Sequence, residues 1–324
     1  MLAHIQKFRE LGLLFFIVAI AIGVQMRNPA FLTADNINNL LVNNAILSIM
    51  SVGMMMVIIT RGIDLSVAST MALSGMAVSL LVADTDISPF MSILTGIGIG
   101  LVCGLIIGFL ISKIEVLPII ATLAAMFIIR GLAHLVSDGR WVVAHQMSDG
   151  FLNIGRGTIL GVNYLIATSF AVFVIFYYFL NHTPIGRQIY AVGSNPESAK
   201  VSGINNAKVI FLVYAIMGGL SGLTGVLWVS RFASAQSSIA TGYELNVIAA
   251  VILGGVSITG GSGKIFGVFL GALLIGILNN ALPLIGVSPF WQTAIQGTII
   301  LLAVIFNVIV KRSVDKVRIA ERGI

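Results

Sequence analysis

"NHTPIGRQIYAVGSNPESAKVSGINNAK", residues 181–208, separates two long apolar runs, 163–180 and 209–230. It carries Arg187, Glu197, Lys200 and Lys208 in a chain of 324 residues that is 58% hydrophobic and only 9% charged. A soluble domain carries about 25% charged residues, so this chain has too little polar surface to face water on all sides. Lipid is the remaining solvent, and there every backbone N–H and C=O must pair inside the protein, which leaves helices or a closed barrel. The apolar runs are continuous instead of alternating, so helices follow. The expected fold is all-α: a polytopic membrane protein whose residues 1–324 form a single transmembrane domain, with 181–208 as a polar loop holding a short helix.

Ten apolar segments emerge, most near the ~20 residues that span a bilayer: 11–24, 37–60, 66–83, 90–112, 118–136, 163–180, 209–230, 246–259, 265–282 and 291–310. The eighth is short and is followed by "GGSGK", which suggests a broken or re-entrant helix. The first lacks a small-residue cleavage site and reads as a retained helix. With the N-terminus inside, the cytoplasmic segments hold Lys7, Arg9, Arg61, Lys113, Arg187, Lys200, Lys208, Lys264, Lys311, Arg312, Lys316, Arg318 and Arg322. The outer segments hold Arg27, Arg140, Arg156 and Arg231, with Arg130 near a helix end. This asymmetry places both termini in the cytoplasm and the 181–208 island with them. The longest outer loop, 137–161, contains Trp141 and His145. The net charge of +6 is thus a topological signal, and no nucleic-acid partner is expected.

The island has its own local chemistry. Asn195 is a good N-cap, and Pro196 suits the first helical position, where its missing N–H costs nothing. Glu197 lies in the first turn, where the helix dipole favours an acid. Ser198 and Lys200 continue the turn, and Gly203 can adopt the left-handed conformation that stops a helix. Residues 196–202 therefore read as a two-turn helix. Isolated helices shorter than about 12 residues are marginal in water, so this one needs a surface. That surface is either its own membrane domain or a separate protein.

The run "TPIGRQIYAVGSNPESAKVSGIN" (183–205) closely resembles the cytoplasmic coupling loop of bacterial ABC sugar importer permeases of the ribose-permease type. Similar likeness is carried by "VGMMMVIITRGIDLSVAS" (52–69), "VLPIIATLAAMFIIRGL" (116–132), "GYELNVIAAVILGGVSITGGSGKIFGVFLGALLIGILNNAL" (242–282) and "VSPFWQTAIQGTIILLAVIFNVI" (287–309), in order and over nearly the whole chain. One departure is "SNPESA", where many relatives carry a second Gly before the Asn. The resemblance implies two related halves, spans two to five and seven to ten, as an inverted pair. It also implies that Gly186, Arg187, Asn195, Pro196, Glu197, Ser198, Lys200 and Gly203 form an ATPase-coupling loop. The implied partners are an ABC ATPase subunit that binds ATP and Mg, a second permease copy or paralogue, a periplasmic or extracellular solute-binding protein, and membrane lipid. The implied solute is a monosaccharide or a related molecule, with ribose, rhamnose, xylose and the autoinducer-2 signal all open. The implied location is the bacterial inner membrane.

The chain itself carries no ATPase signature. A P-loop needs Gly, four residues, then Gly-Lys-Ser/Thr. Counted back from Gly263, the first Gly falls at Ile258, and Ile265 follows Lys264. A membrane enzyme would want a cluster of catalytic His, Asp, Ser or Cys, and none is present. The lone Cys103 forms neither a disulfide nor a metal site. Met54, Met55 and Met56 read as adaptable packing, while His4, His134, His145 and His182 are scattered.

Ionisable groups in apolar runs default to functional hypotheses. Arg61 and Asp64 are three residues apart and would share a helical face, as a gate or fold-locking pair. Alternatively, Asp64 or Ser66 caps the next helix. Glu244 lines the outer mouth or caps a helix start after Thr241. Asn43, Asn44, Thr122, Asn279 and Asn280 either line a translocation pathway or bond between helices as packing glue. An ion-driven secondary transporter is the alternative class. It would want acids at the membrane midplane, yet Asp64 and Glu244 both fall at helix ends. Gly100, Gly104 and Gly108, spaced by four like Gly267 and Gly271, indicate close helix packing within the subunit or across a dimer.

Overall fold

The computed structural model describes residues 2–85, 87–288, 290–292, 294, 295, 297, 298, 301, 302 and 305, with side chains from residue 10. Twelve α-helices are defined among them: α1 (Leu2–Arg27), α2 (Ala34–Ile59), α3 (Val67–Thr85), α4 (Pro89–Ser112), α5 (Pro118–Ser137), α6 (Asp149–Arg156), α7 (Tyr164–His182), α8 (Pro184–Ser194), α9 (Pro196–Val201), α10 (Asn206–Phe232), α11 (Tyr243–Leu253) and α12 (Ile265–Leu284). Eight of these are long and apolar enough to cross a membrane. They coincide with the first seven expected segments and the ninth. The expected eighth segment, 246–259, is the 11-residue α11, about 16 Å long and too short for a hydrocarbon core of about 30 Å. The tenth expected segment, 291–310, lies mostly outside the described residues, and with it the last span of the second half of the expected inverted pair.

Helix starts follow cap chemistry. Ser88–Pro89, Thr183–Pro184 and Asn195–Pro196 each place a side-chain acceptor before a proline at the first turn, which satisfies a backbone donor that lipid would leave unpaired. The central helix is α2. Its apolar stretch is 94% buried, against 11% for that of α1, so α2 is apolar on all sides because it faces protein on all sides. It packs on α7, α10, α11 and α12, while α1 lies outside against α12.

The tightest packing joins α4 to α10. A Cβ added at Gly100 would overlap the Gly218 carbonyl oxygen, and one at Gly104 the Tyr214 carbonyl. Gly218 and Gly222 meet Gly100 and Gly96 in the same way from the other side. The four-residue glycine spacing thus closes a contact within the subunit. In lipid, helix association relies on such close van der Waals approach. On α12, Gly267 and Gly271 approach Gly254 and Ala250, which folds α11 back on α12.

The loop expected over 137–161 is folded. Val142–Val143 (β1) pairs antiparallel with Ser234–Ala235 (β4), and Thr158–Ile159 (β2) pairs with Val162–Asn163 (β3). Between them α6 lies on α10. The Ser230 hydroxyl donates to the Phe151 carbonyl at 2.7 Å and accepts from the Gly155 N–H at 2.6 Å.

A branched residue at Gly100 must push α10 away. Gly100→Val is expected to destabilise the chain by about 2 kcal/mol or more. Gly98→Ala, whose Cβ would meet open space, is expected to be neutral or slightly stabilising. Thermal unfolding of the purified chain in detergent compares the two.

Candidate functional site

The end of the bundle remote from the island contains a cavity of about 520 Å³. On one side α2 contributes Asn36, Asn43 and Asn44, spaced at i, i+7 and i+8 and hence on one helix face. Opposite, α12 contributes Asn279 and Asn280, with Trp228, Phe232 and Tyr243 as aromatic wall. No lining side chain is charged. Asn36 and Asn280 exchange both amide hydrogen bonds, at 2.9 and 3.0 Å. The Asn44 amide donates to the Ser48 hydroxyl at 3.4 Å, and its buried oxygen has no partner among the described residues. Gly276 makes room for Asn44, since a Cβ there would overlap its amide. Asn43 and Asn279 are exposed at the rim. The structure therefore brings together four of the five expected uncharged pathway residues and adds Asn36 and three aromatics. The sequence signal for Asn36 was its shared face with Asn43 and Asn44.

The remaining expected pathway residues lie elsewhere. Thr122 is buried on α5 and donates to the Ile63 carbonyl at 3.1 Å, tying α5 to the α2–α3 link. Glu244 does not cap α11: it stands in the first turn, and the cap is Gly242. Arg61 and Asp64 do not pair; among the described residues the ion pairs are Arg140–Asp84 and Lys264–Glu10. The expected shared face fails because Arg61 is not helical. It ends α2 at φ 66°, with its N–H on the Ile58 carbonyl and the Gly62 N–H on the Val57 carbonyl. This is the left-handed turn that usually takes glycine. Asp64 is buried and accepts from the Ser66 hydroxyl at 2.6 Å and the Ser66 N–H at 2.9 Å, a local turn immediately before α3. Burial pushes its carboxyl up to about 6, against the opposing pull of the two Ser66 hydrogen bonds.

The island holds two helices where one was expected. Thr183 caps α8 through the Gly186 N–H at 3.0 Å, and α8 buries Ile189, Val192 and Gly193. Asn195 caps α9 through the Ser198 N–H at 3.0 Å, and Gly203 ends it at φ 82°, its N–H on the Lys200 carbonyl. Only Ala199 of α9 is buried. Arg187, Glu197, Ser198, Lys200 and Gly203 face outward, as does Val201, which is 90% exposed.

Beneath α8 two other segments meet it. Arg61 Nε donates to the Gly193 carbonyl and one Arg61 Nη to the Ser194 carbonyl, each at 2.7 Å. From the 257–264 loop, the Gly261 N–H donates to the Ile59 carbonyl at 2.9 Å, and the Gly263 carbonyl accepts from the Tyr190 hydroxyl at 3.0 Å. Burial pushes that phenol up to about 12, so it remains a donor. The groups of "GGSGK" are thus committed to α2 and α8, and Lys264 pairs with Glu10 at 3.1 Å. The loop is a seat for the island and not a phosphate cradle.

Over residues 36–304 the chain matches the family described as branched-chain amino acid transport system / permease component. The chain belongs to this permease family. It is 42% identical over 299 residues to the ribose import permease protein RbsC of Bacillus subtilis, covering 92% of each chain. Over 298 residues it is 40% identical to the Escherichia coli K12 protein of the same name, covering 91% of this chain and 92% of that one. It is 35% identical over 302 residues to the L-arabinose ABC transporter permease protein AraH of Azospirillum brasilense, covering 93% of this chain and 88% of the other. No solved structure matches it. A permease component is a transport part, not an enzyme, which agrees with the missing P-loop.

The Asp64 carboxyl holds its proton more tightly in the folded chain than unfolded. Its contribution to stability is therefore fully present below its ordinary value of 3.8 and is lost as pH rises through about 6. Thermal stability in detergent is expected to fall from about pH 4 to about pH 6, and Asp64→Asn, which keeps an acceptor for Ser66, is expected to flatten that fall.

Proposed function

We propose that this chain is the membrane-spanning subunit of an ATP-driven ABC importer that carries a small neutral sugar across the bacterial inner membrane. The observation that carries the reading is the 40–42% identity to two ribose import permeases over nine-tenths of the chain. The cavity chemistry agrees. Five asparagine amides and three aromatic rings suit a polyhydroxyl solute, because amides both donate and accept and rings cover the apolar face of a sugar. Charged walls, which would bind ionic solutes, are absent from this lining. Pentoses lead the candidates, since the relatives are named for ribose and arabinose.

In this reading the island faces the cytoplasm, and a separate ATPase subunit binding ATP and Mg docks on α8 and α9. Among the described residues the Glu197 and Lys200 side chains have no hydrogen bond or ion pair, and both are exposed, as is Val201. A solute-binding protein delivers sugar to the opposite face. The asparagine cavity is open at Asn43 and Asn279, and a second permease copy or paralogue completes the path there. Lipid covers the outward apolar faces, where Phe15, Ile106, Phe127 and Phe170 are each at least 58% exposed.

The complete transporter, reconstituted in proteoliposomes, is expected to take up labelled ribose or arabinose with ATP and to stop with orthovanadate. Uptake that continues with the ATPase blocked would overturn the reading. Glu197→Lys is expected to abolish uptake and ATPase co-purification without loss of membrane insertion. Gly276→Leu, which displaces the Asn44 amide, is expected to lower uptake at least about tenfold, the loss of one or two good polar contacts, while the ATPase still co-purifies.

A further inference from the structure

The docking face and the asparagine cavity lie at opposite ends of the bundle. The helices that carry the cavity amides are α2 and α12. Both begin or end at the seat of the island. α2 ends at Ile59, whose carbonyl accepts from Gly261. α12 starts at Ile265, next to Gly263, whose carbonyl accepts from Tyr190 of α8.

Arg61 is the side chain that closes this junction. Its guanidinium grips the last two residues of α8, Gly193 and Ser194, by their carbonyls. Those carbonyls are orphan acceptors at the negative end of the α8 dipole, so a cation there is favoured. Arg61 also occupies a left-handed position at φ 66°, where glycine is the unstrained choice. An outlier of that kind persists where its surroundings hold it, and here its side chain has a task glycine lacks. The backbone is fitted around it: a Cβ at Gly260 would overlap Arg61, and one at Gly193 would overlap the Ile59 carbonyl.

We infer that Arg61 is the latch that couples the ATPase-facing helices to the solute path, fixing α8 to α2 so that displacement of the island moves α2 and α12, and with them the asparagine cavity, as one body. Arg61 touches no solute and is a positioning residue. The inference rests on the ATP-driven reading above and deepens it by naming the linkage. Among the described residues, Arg61 is the charged side chain whose hydrogen bonds join two of the three segments that meet there.

The test is the number of solute molecules moved per ATP hydrolysed, in proteoliposomes holding permease, ATPase and binding protein. Arg61→Gln is expected to lower that ratio about tenfold while ATP hydrolysis stays within about twofold of wild type. Arg61→Lys keeps the charge but not the planar fork, and an intermediate ratio is expected. An unchanged ratio in Arg61→Gln overturns the inference. A parallel fall of hydrolysis and uptake, or failure of both variants to assemble with the ATPase, marks a merely structural role and also overturns it. If wild-type vesicles show no ATP-dependent uptake, the importer reading itself fails, and that result is distinct from the others.

Discussion

Helices of six and eleven residues do not hold their shape in water without a surface, because nucleation costs more than a few hydrogen bonds return. That shortage governs the island end of the molecule. α9 is stopped at both ends by local chemistry, Asn195 at one and Gly203 at the other, yet it buries only Ala199. Its tether is the Asn206 amide on the Pro196 carbonyl at 2.8 Å. α8 supplies the rest: it buries one face, gives its terminal carbonyls to Arg61 and receives the 257–264 loop through Tyr190. A short polar segment thus becomes rigid by borrowing the ends of two membrane helices.

The bilayer imposes the complementary rule on the other helices. Apolar side chains gain little by leaving lipid for one another, so close backbone contact and satisfied polar groups must hold the bundle. The α4–α10 contact meets that need with close glycine backbones and the buried Ser74 hydroxyl of α3, which lies 3.2 Å from the Gly96 carbonyl and 2.8 Å from the Gly222 carbonyl. The α2–α12 contact meets it differently, with the reciprocal Asn36–Asn280 amide pair and the Gly276 gap that admits Asn44. The first contact suits a fixed scaffold. The second is polar, open at its rim and bordered by an unpartnered amide oxygen, which suits a surface exposed in turn to solute.

Much of this architecture was legible in the sequence. Spans over α1–α5, α7, α10 and α12 followed from apolar length alone, since lipid leaves no other solution. α8 was missed because its sequence, with Gly186, Arg187 and Gly193, reads as loop, and its helicity comes from packing on α7, α10 and the end of α2. α11 was overextended to Thr259 because apolar content does not show where Gly254 and Gly255 turn the chain. Asn43, Asn44, Asn279 and Asn280 were legible as uncommon amides. That α2 and α12 face each other was not, because periodicity gives the face of a helix and not its partner. Arg61 and Asp64 failed as a pair for a different reason: spacing assumed a helix where the backbone turns left-handed at Arg61.

The central claim is that the island and the helix carrying the cavity amides move together. It is tested by electron–electron distance measurement in lipid nanodiscs, on complexes in which one permease chain carries spin labels at Glu197 and Asn43. Because the Glu197 label can weaken ATPase docking, a second pair at Gln188 and Asn43 serves as control. The account predicts one unchanged distance distribution between nucleotide-free and vanadate-trapped states, in complexes whose ATPase is shown to be bound. A shift of that distribution on trapping, with α8 moving while α2 stays, would contradict it.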